Sequence, residues 1–457
     1  MFIGRESEIN VLNEYILRPG NQVMVMYGQK GVGKSTLIHK FIQDMDRTIY
    51  FATSSLYERE QLSQWGRQSQ KDNANISEYP TYEDIFAAIL SQYQDNRADK
   101  IVLIFDEFQF LLKHSNHFTE ALFQFLESTE LNFFVILCSS SIEWIENSMI
   151  KKIGIKAKNI TGFFKVKELG FSDFTKYFDS FSFEECITGY SIFGGIPEIW
   201  ELVDKNISLE ENIVNGILNK NNYLYHYGEE IVSRELRETS IYNTILCTLA
   251  DGKNKLNDLY SHTQFSRAKI SVYIKNLMEL GIVEKEFSLD TDGRNNTQKG
   301  MYDICNHYVY FTYQFLFPYK YELEFGNRKE FYNQRIKPYL RQYGAKYFSI
   351  ICKEYFETQN QLMKLPIQYT KIGKWIGKTG TIDLVAQDEA QHTILALCNW
   401  EKPMMRYDDY EWLIFCAKQA KLKPDYVYLF SAGGFDEKLK FAENSKKNVK
   451  LLTLEDL

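Results

Sequence analysis

Residues 21–42 read NQVMVMYGQKGVGKSTLIHKFI. Val23 to Tyr27 is a continuous apolar run, as in a parallel strand covered on both faces. Gly28-Gln29-Lys30-Gly31-Val32-Gly33-Lys34-Ser35 follows and satisfies GxxxxGK[ST]. Leu37, Ile38, Phe41 and Ile42 then recur at helical spacing. Strand, glycine loop and helix stand in the order a phosphate-binding loop requires. Backbone N–H groups of such a loop, here Gly28 through Thr36, turn inward on phosphate oxygens, and the helix N-terminus adds partial positive charge. Lys34 is expected to reach the β- and γ-phosphates of ATP, and Ser35 to ligate Mg2+.

Such a loop needs a second acid for the metal. KIVLIFDEFQFLL (100–112) supplies one: Ile101 to Phe105 read as a buried strand, with Asp106-Glu107 at its C-terminal end, where open α/β sheets bind ligands. Asp106 is expected to orient Mg2+ through its water shell, and Glu107 to polarise the attacking water as the catalytic residue. A third apolar strand, in NFFVILCSSS (132–141), ends in Ser139-Ser140-Ser141. If it lies between the first two strands, these hydroxyls, Ser139 and Ser140 first, would face the γ-phosphate; the equal alternative is a simple Ser-rich turn. RTIYFAT (47–53) adds another strand, and helical patterns between the strands predict a parallel, doubly wound sheet.

At 457 residues the chain has room for about three domains. Its net charge of −7 argues against a general nucleic-acid coat and leaves room for a local basic face. The start, MFIGRESEIN, lacks the apolar core of a signal peptide, and no run approaches the ~18 apolar residues of a membrane span. Seven scattered cysteines without a CxxC read as buried thiols of a reducing cytoplasm, not a zinc site.

FIGRESEI (2–9), the glycine loop, FDEFQ (105–109), CSSS (138–141) and IFGGIPE (192–198) together resemble the archaeal-type ATPases, a prokaryotic P-loop branch related to the STAND and AAA+ groups. The resemblance covers most of the chain, and the FDEFQ and FGGIPE pieces are its specific part. It implies a P-loop ATPase core at 1–165 and a helical lid at 166–236, followed by a winged helix at 237–318 and a degenerate PD-(D/E)XK nuclease-like domain at 319–457. The family often has an arginine near Lys156 and Lys158, where this chain has lysines.

The residues themselves support that order. FSDFTKYF and SLEENIVNGIL are amphipathic, as a lid requires, and Arg234 and Arg237 are either nucleotide sensors or partners of neighbouring acids. SIYNTILCTLA, NKLNDLYSHT and SRAKISVYIKNLMELG predict three helices. IVEKEF, a turn through Asp292-Gly293 and GMYDI predict a hairpin, which completes a winged helix. Arg267, Lys269, Tyr273, Lys275, Arg294 and Lys299 are its candidate DNA contacts; the alternative is a solvated face used for protein contacts.

A long helical pattern over 332–359 precedes YTKIGKWIGKTGTIDLV and TILALCNWEKP. Where the nuclease-like family carries a helix FE, a strand EID and a strand ECKW, this chain has Ser349 for the helix acid, Thr381 and Asp383 in the first strand, and Leu397 and Asn399 for the last acid and the lysine. Metal-assisted phosphodiester hydrolysis needs carboxylate oxygens and a group to position water. Asp383 alone supplies too little, and Glu401 could substitute only through a register shift. The expectation is therefore a cytoplasmic α/β ATPase requiring ATP and Mg2+, a nucleotide-dependent switch with winged-helix and inactive nuclease-like readout domains. Its rivals are an ATP-gated nuclease and a DNA-binding regulator. Candidate partners are DNA, a protein client and a second copy of the chain, with no membrane.

Overall fold

Five strands, β1 (Gln22–Tyr27), β2 (Thr48–Ala52), β3 (Ile101–Asp106), β4 (Phe133–Ser139) and β5 (Gly162–Lys165), pair in parallel in the order β2-β3-β4-β1-β5. This computed structural model describes residues 2–70, 77–93, 99–112, 116–234, 236–289 and 300–457. The three inner strands β3, β4 and β1 are largely apolar and buried because both of their faces are covered. Phe51, Leu103, Phe105, Val135 and Leu137 face one cluster with Trp65, Ile85 and Phe118. Met24, Met26, Val102, Ile104 and Ile136 face another with Leu37 and Ile38 of the helix Lys34–Ile42. All seven residues of β4 are buried, as its central place requires. The open edge of β2 is covered by the helix Glu58–Gln70: Gln61 and Trp65 donate to the Ala52 carbonyl at 3.1 and 3.0 Å, and Gln68 to the Tyr50 carbonyl at 2.9 Å.

The chain forms two compact units. The first holds this sheet, up to Leu169, with the short segments Ile196–Ile199 and Asn276–Gly281; the second holds the rest. In the second, the helices Phe171–Tyr177, Phe183–Phe193 and Tyr223–Ser233 occupy the stretch expected to be a lid. Ser182 caps Phe183–Phe193 in a capping box with Glu185. The helices Thr239–Ala250, Leu256–Thr263 and Arg267–Glu279 and the antiparallel pair β6 (Val283–Glu286) and β7 (Met301–Ile304) make the expected helix-turn-helix with a hairpin. The turn through Asp292-Gly293, with Arg294 and Lys299, lies outside the described residues.

The hairpin is tied to the C-terminal stretch of the chain. Lys346 Nζ bonds Asp303 at 2.8 Å, the Ile376 amide donates to Ser288 Oγ at 3.0 Å, and the absence of a side chain at Gly373 leaves room for Leu289.

The C-terminal part is a mixed sheet, β12-β11-β10-β9-β8, built from β8 (Lys371–Ile376), β9 (Thr381–Gln387), β10 (Thr393–Asn399), β11 (Tyr426–Ser431) and β12 (Val449–Leu452). Strands β10, β11 and β12 run parallel; β8 and β9 pair antiparallel. The continuous helix read over 332–359 is corrected here: π and 3-10 turns run from Tyr332 to Tyr339, and the regular helix is Leu340–Gln361. Pro338 has no N–H to donate and its ring crowds the preceding turn, so an α-helix cannot pass through it undistorted. Phe356 of that helix packs on Tyr428 and Phe430 of β11, which fixes the helix across the sheet.

Candidate nucleotide site

The loop leaving β1 owes its path to three glycines. Gly31 and Gly33 have φ of 80° and 93°, a region that costs other residues energy. A Cβ on Gly28 would stand 2.3 Å from the Val166 carbonyl oxygen, so only glycine lets β1 end so close to the chain after β5. Lys34 is buried, and its ammonium donates to the Gly28 and Gln29 carbonyls at 2.8 and 3.0 Å. The Gly28 amide donates to the Ser139 carbonyl at 3.2 Å, joining the loop to the end of β4.

Asp106, the acid expected to serve the metal, stands beside the loop. Ser35 Oγ donates to Asp106 Oδ2 at 3.0 Å, and Asp106 Oδ1 accepts from the Glu107 amide at 3.0 Å. A hydroxyl and a carboxylate at this spacing are hard oxygen donors that fit Mg2+, which takes few protein ligands and keeps waters. The Tyr50 hydroxyl also donates to Asp106 Oδ2. Burial, and the Asp106 carboxylate beside it, push that hydroxyl's pKa well above its usual value.

Glu107 has a left-handed backbone, φ 55° and ψ 40°. Its Oε2 accepts from the Ser140 amide at 3.0 Å, Ser140 Oγ at 2.8 Å and Gln109 Nε2 at 2.5 Å. β4 does lie between β3 and β1, the condition set for its serines. Ser140 there holds Glu107, while the Ser139 hydroxyl accepts from the Ser141 amide at 3.1 Å.

Two distant stretches complete the loop's surroundings. Arg5, buried, donates to the carbonyls of Val32 at 2.9 Å and Lys167 at 2.8 Å. The Glu198 amide donates to the Gly31 carbonyl at 3.3 Å, and Pro197 lies over Gly33. Arg5 of FIGRESEI and Pro197-Glu198 of FGGIPE thus converge on the glycine loop. Residues 2–204 match the model of an ATPase domain found predominantly in archaea.

This region is similar to the archaeal ATPase domains.

Further along the chain, residues 243–285 match a bacterial regulatory helix-turn-helix of the arsR family, and 312–411 match a family of archaeal and bacterial proteins of unknown function. An uncharacterized protein of Methanocaldococcus jannaschii is 26% identical over 415 residues, covering 88% of each chain. The solved Walker-type ATPase of Pyrococcus abyssi is 17% identical, with TM-score 0.51 over 68% of this chain and 96% of that one. That likeness concerns the fold.

The remaining candidates are dispersed. Arg234 pairs with Glu230 at 3.4 Å, the neighbour-acid alternative, and Arg237 is exposed. Lys156 pairs with Glu127 at 3.1 Å. On the third helix of the helix-turn-helix Arg267, Lys269 and Lys275 are exposed; Arg267 lies over Tyr260 and bonds Asn257 at 3.1 Å, and the Tyr273 hydroxyl is taken by Glu238.

In the C-terminal sheet, Asp383 Oδ2 accepts from the Cys398 amide at 2.8 Å, and burial raises its pKa. Asn399 bonds Ser431 Oγ at 3.0 Å and the Lys402 amide at 2.9 Å, Ser349 bonds the Lys346 carbonyl at 3.2 Å, and Leu397 packs toward the cluster around Leu395 and Leu413. Glu401 lies beyond the end of β10, exposed. Among the described residues no three His, Cys, Asp or Glu side chains are grouped as a metal site.

Arg5, Tyr50, Gln109 and Pro197-Glu198 are contributors to the site that reading the sequence for chemistry did not assign. The FIGRESEI, FDEFQ and FGGIPE motifs carried a signal for Arg5, Gln109 and Pro197-Glu198; Tyr50 had none.

Proposed function

We propose that the protein hydrolyses ATP with Mg2+ and uses its nucleotide state as a switch read out by the helix-turn-helix and the C-terminal domain. The contact carrying this reading is Ser35 Oγ on Asp106 Oδ2 at 3.0 Å, with Glu107 one residue on. Lys34 exchanges the Gly28 and Gln29 carbonyls for the β- and γ-phosphates. The loop amides hold phosphate oxygens, and Ser35 and Asp106 hold Mg2+, which when bound neutralises charge developing on the phosphoryl oxygens. Glu107 takes the proton of the attacking water. Ser140, bonded to Glu107, senses the γ-phosphate together with Ser139. Hydrogen exchange tests the switch. ATP-loaded Glu107→Gln protein is expected to protect residues 171–233 more than ADP-loaded protein; identical protection in the two states refutes the switch.

DNA is the partner proposed for the helix-turn-helix, through the exposed Arg267, Lys269 and Lys275. Neutralising phosphates releases counterions, so affinity must fall with salt. A Lys269→Ala/Lys275→Ala pair is expected to weaken binding and reduce the slope of log affinity against log salt by about 2. Salt-independent binding assigns this surface to a protein client instead. The C-terminal domain is proposed as an inactive nuclease-like scaffold, because Leu397 offers no oxygen and the Asn399 side chain is engaged within the fold. No described helix is long and apolar enough to cross a membrane.

A further inference from the structure

Tyr50 lies on β2, a strand to which the proposed chemistry assigns nothing. Strand pairing places Ala52 beside Asp106 and Tyr50 beside Ile104, two residues short of the metal acid. Two residues of strand span about 6.6 Å. A tyrosine lying along the sheet covers that length and ends in a donor; phenylalanine covers it and ends in none. The hydroxyl meets Asp106 Oδ2, the oxygen that also accepts Ser35. The ring is not free to swing, since it stacks on His39 at 5.1 Å and 20°, and His39 belongs to the helix that begins at Lys34. Strand β2 and the helix after the glycine loop therefore jointly aim one hydroxyl at the metal acid.

We propose that Tyr50 is a positioning residue of the Mg2+ site, holding Asp106 in the orientation that receives the ion. The inference rests on the ATPase reading. Ser35 could offer a lone pair to Mg2+ and keep its proton on Asp106 Oδ2. The carboxylate's other donors are the Glu107 amide on Oδ1 and the Tyr50 hydroxyl on Oδ2. Without Tyr50, Oδ2 keeps only the donor that would also serve the ion, and the carboxylate's orientation loosens. Partners that orient a metal ligand contribute about 10–100-fold in metal affinity. A tyrosine that merely satisfied its own hydroxyl would affect stability and leave the metal dependence of nucleotide binding alone.

The test uses the full chain and a fluorescent ATP analogue, with dissociation constants measured in Mg2+ and in EDTA. Their ratio is the gain in nucleotide affinity that Mg2+ confers. Tyr50→Phe is expected to lower that ratio about 10–100-fold and to leave the EDTA constant unchanged. His39→Ala, which loosens the ring without removing the hydroxyl, is expected to lower it in the same sense by less; this second variant decides the matter if Tyr50→Phe does not fold. A ratio equal to wild type in Tyr50→Phe overturns the role of Tyr50 and leaves the ATPase reading standing. A wild-type chain that binds no analogue at all overturns both.

Discussion

Replacing Glu107 by glutamine separates binding from chemistry, and the structure indicates by how much. The Glu107 side chain is held through one oxygen, Oε2, by the Ser140 amide at 3.0 Å, Ser140 Oγ at 2.8 Å and Gln109 Nε2 at 2.5 Å. A glutamine can put its carbonyl oxygen in that place and keep all three donors. The substitution is nearly isosteric and touches neither Lys34 nor Ser35, so nucleotide affinity is expected to stay within about twofold, or ~0.4 kcal/mol. What the amide lacks is basicity. A positioned general base contributes about 10²–10⁴-fold, or roughly 2.7–5.4 kcal/mol at 1.36 kcal/mol per tenfold. Phosphate release at saturating Mg2+-ATP should fall by that factor, with the analogue's dissociation constant unmoved. Turnover within threefold of wild type would show that Glu107 is not the base. A matching loss of affinity would instead show that the three donors hold the nucleotide loop together.

Three further outcomes rest on particular contacts. His307 is buried, bonds the Tyr190 carbonyl through Nδ1 at 2.8 Å, and burial pushes its pKa down to about 4. The unfolded chain takes up that proton first, so stability is intact above about pH 6.5 and falls by up to roughly 3 kcal/mol as pH drops toward 4. Urea midpoints across that range should slope down in wild type and lose most of the slope in His307→Phe. Gly28→Ala drives a Cβ to 2.3 Å from the Val166 carbonyl oxygen and is expected to abolish nucleotide binding in calorimetry; undiminished affinity would mean that the loop tolerates a different path. Plasmid and single-stranded substrates with Mg2+ or Mn2+ are expected to remain uncut, and cleavage lost in Asp383→Ala would show a working nuclease with another ligand, Glu401 first.

The nucleotide loop was legible because its requirements are local. An apolar strand, glycines at fixed offsets and a helix start within one stretch of chain leave few alternatives, and Asp106-Glu107 are marked by ending a second such strand. The serines after β4 could be read only conditionally, since their meaning depends on strand order, a tertiary property. Tyr50 was invisible for the same reason. Nothing in RTIYFAT distinguishes a tyrosine that packs from one that reaches the neighbouring strand's last residue. Pro197-Glu198 and Arg5 come to the loop from far along the chain, and only motif resemblance hinted at them. In the C-terminal domain Pro338 was the local signal that should have broken the long helix. Strand β12, with only four residues at the sheet's edge, was too short to stand out.

The central claim is that the loop at 28–36 holds the phosphates of ATP through Lys34. Thermal unfolding of the full chain with and without millimolar Mg2+-ATP tests it most directly. A ligand present at about 100 times its dissociation constant stabilises the state that binds it by about 2.7 kcal/mol. Wild type should therefore melt several degrees higher with ATP, while Lys34→Ala should show no ATP-dependent shift from its own nucleotide-free midpoint. A wild-type midpoint indifferent to ATP, or a Lys34→Ala shift equal to wild type, would contradict the account.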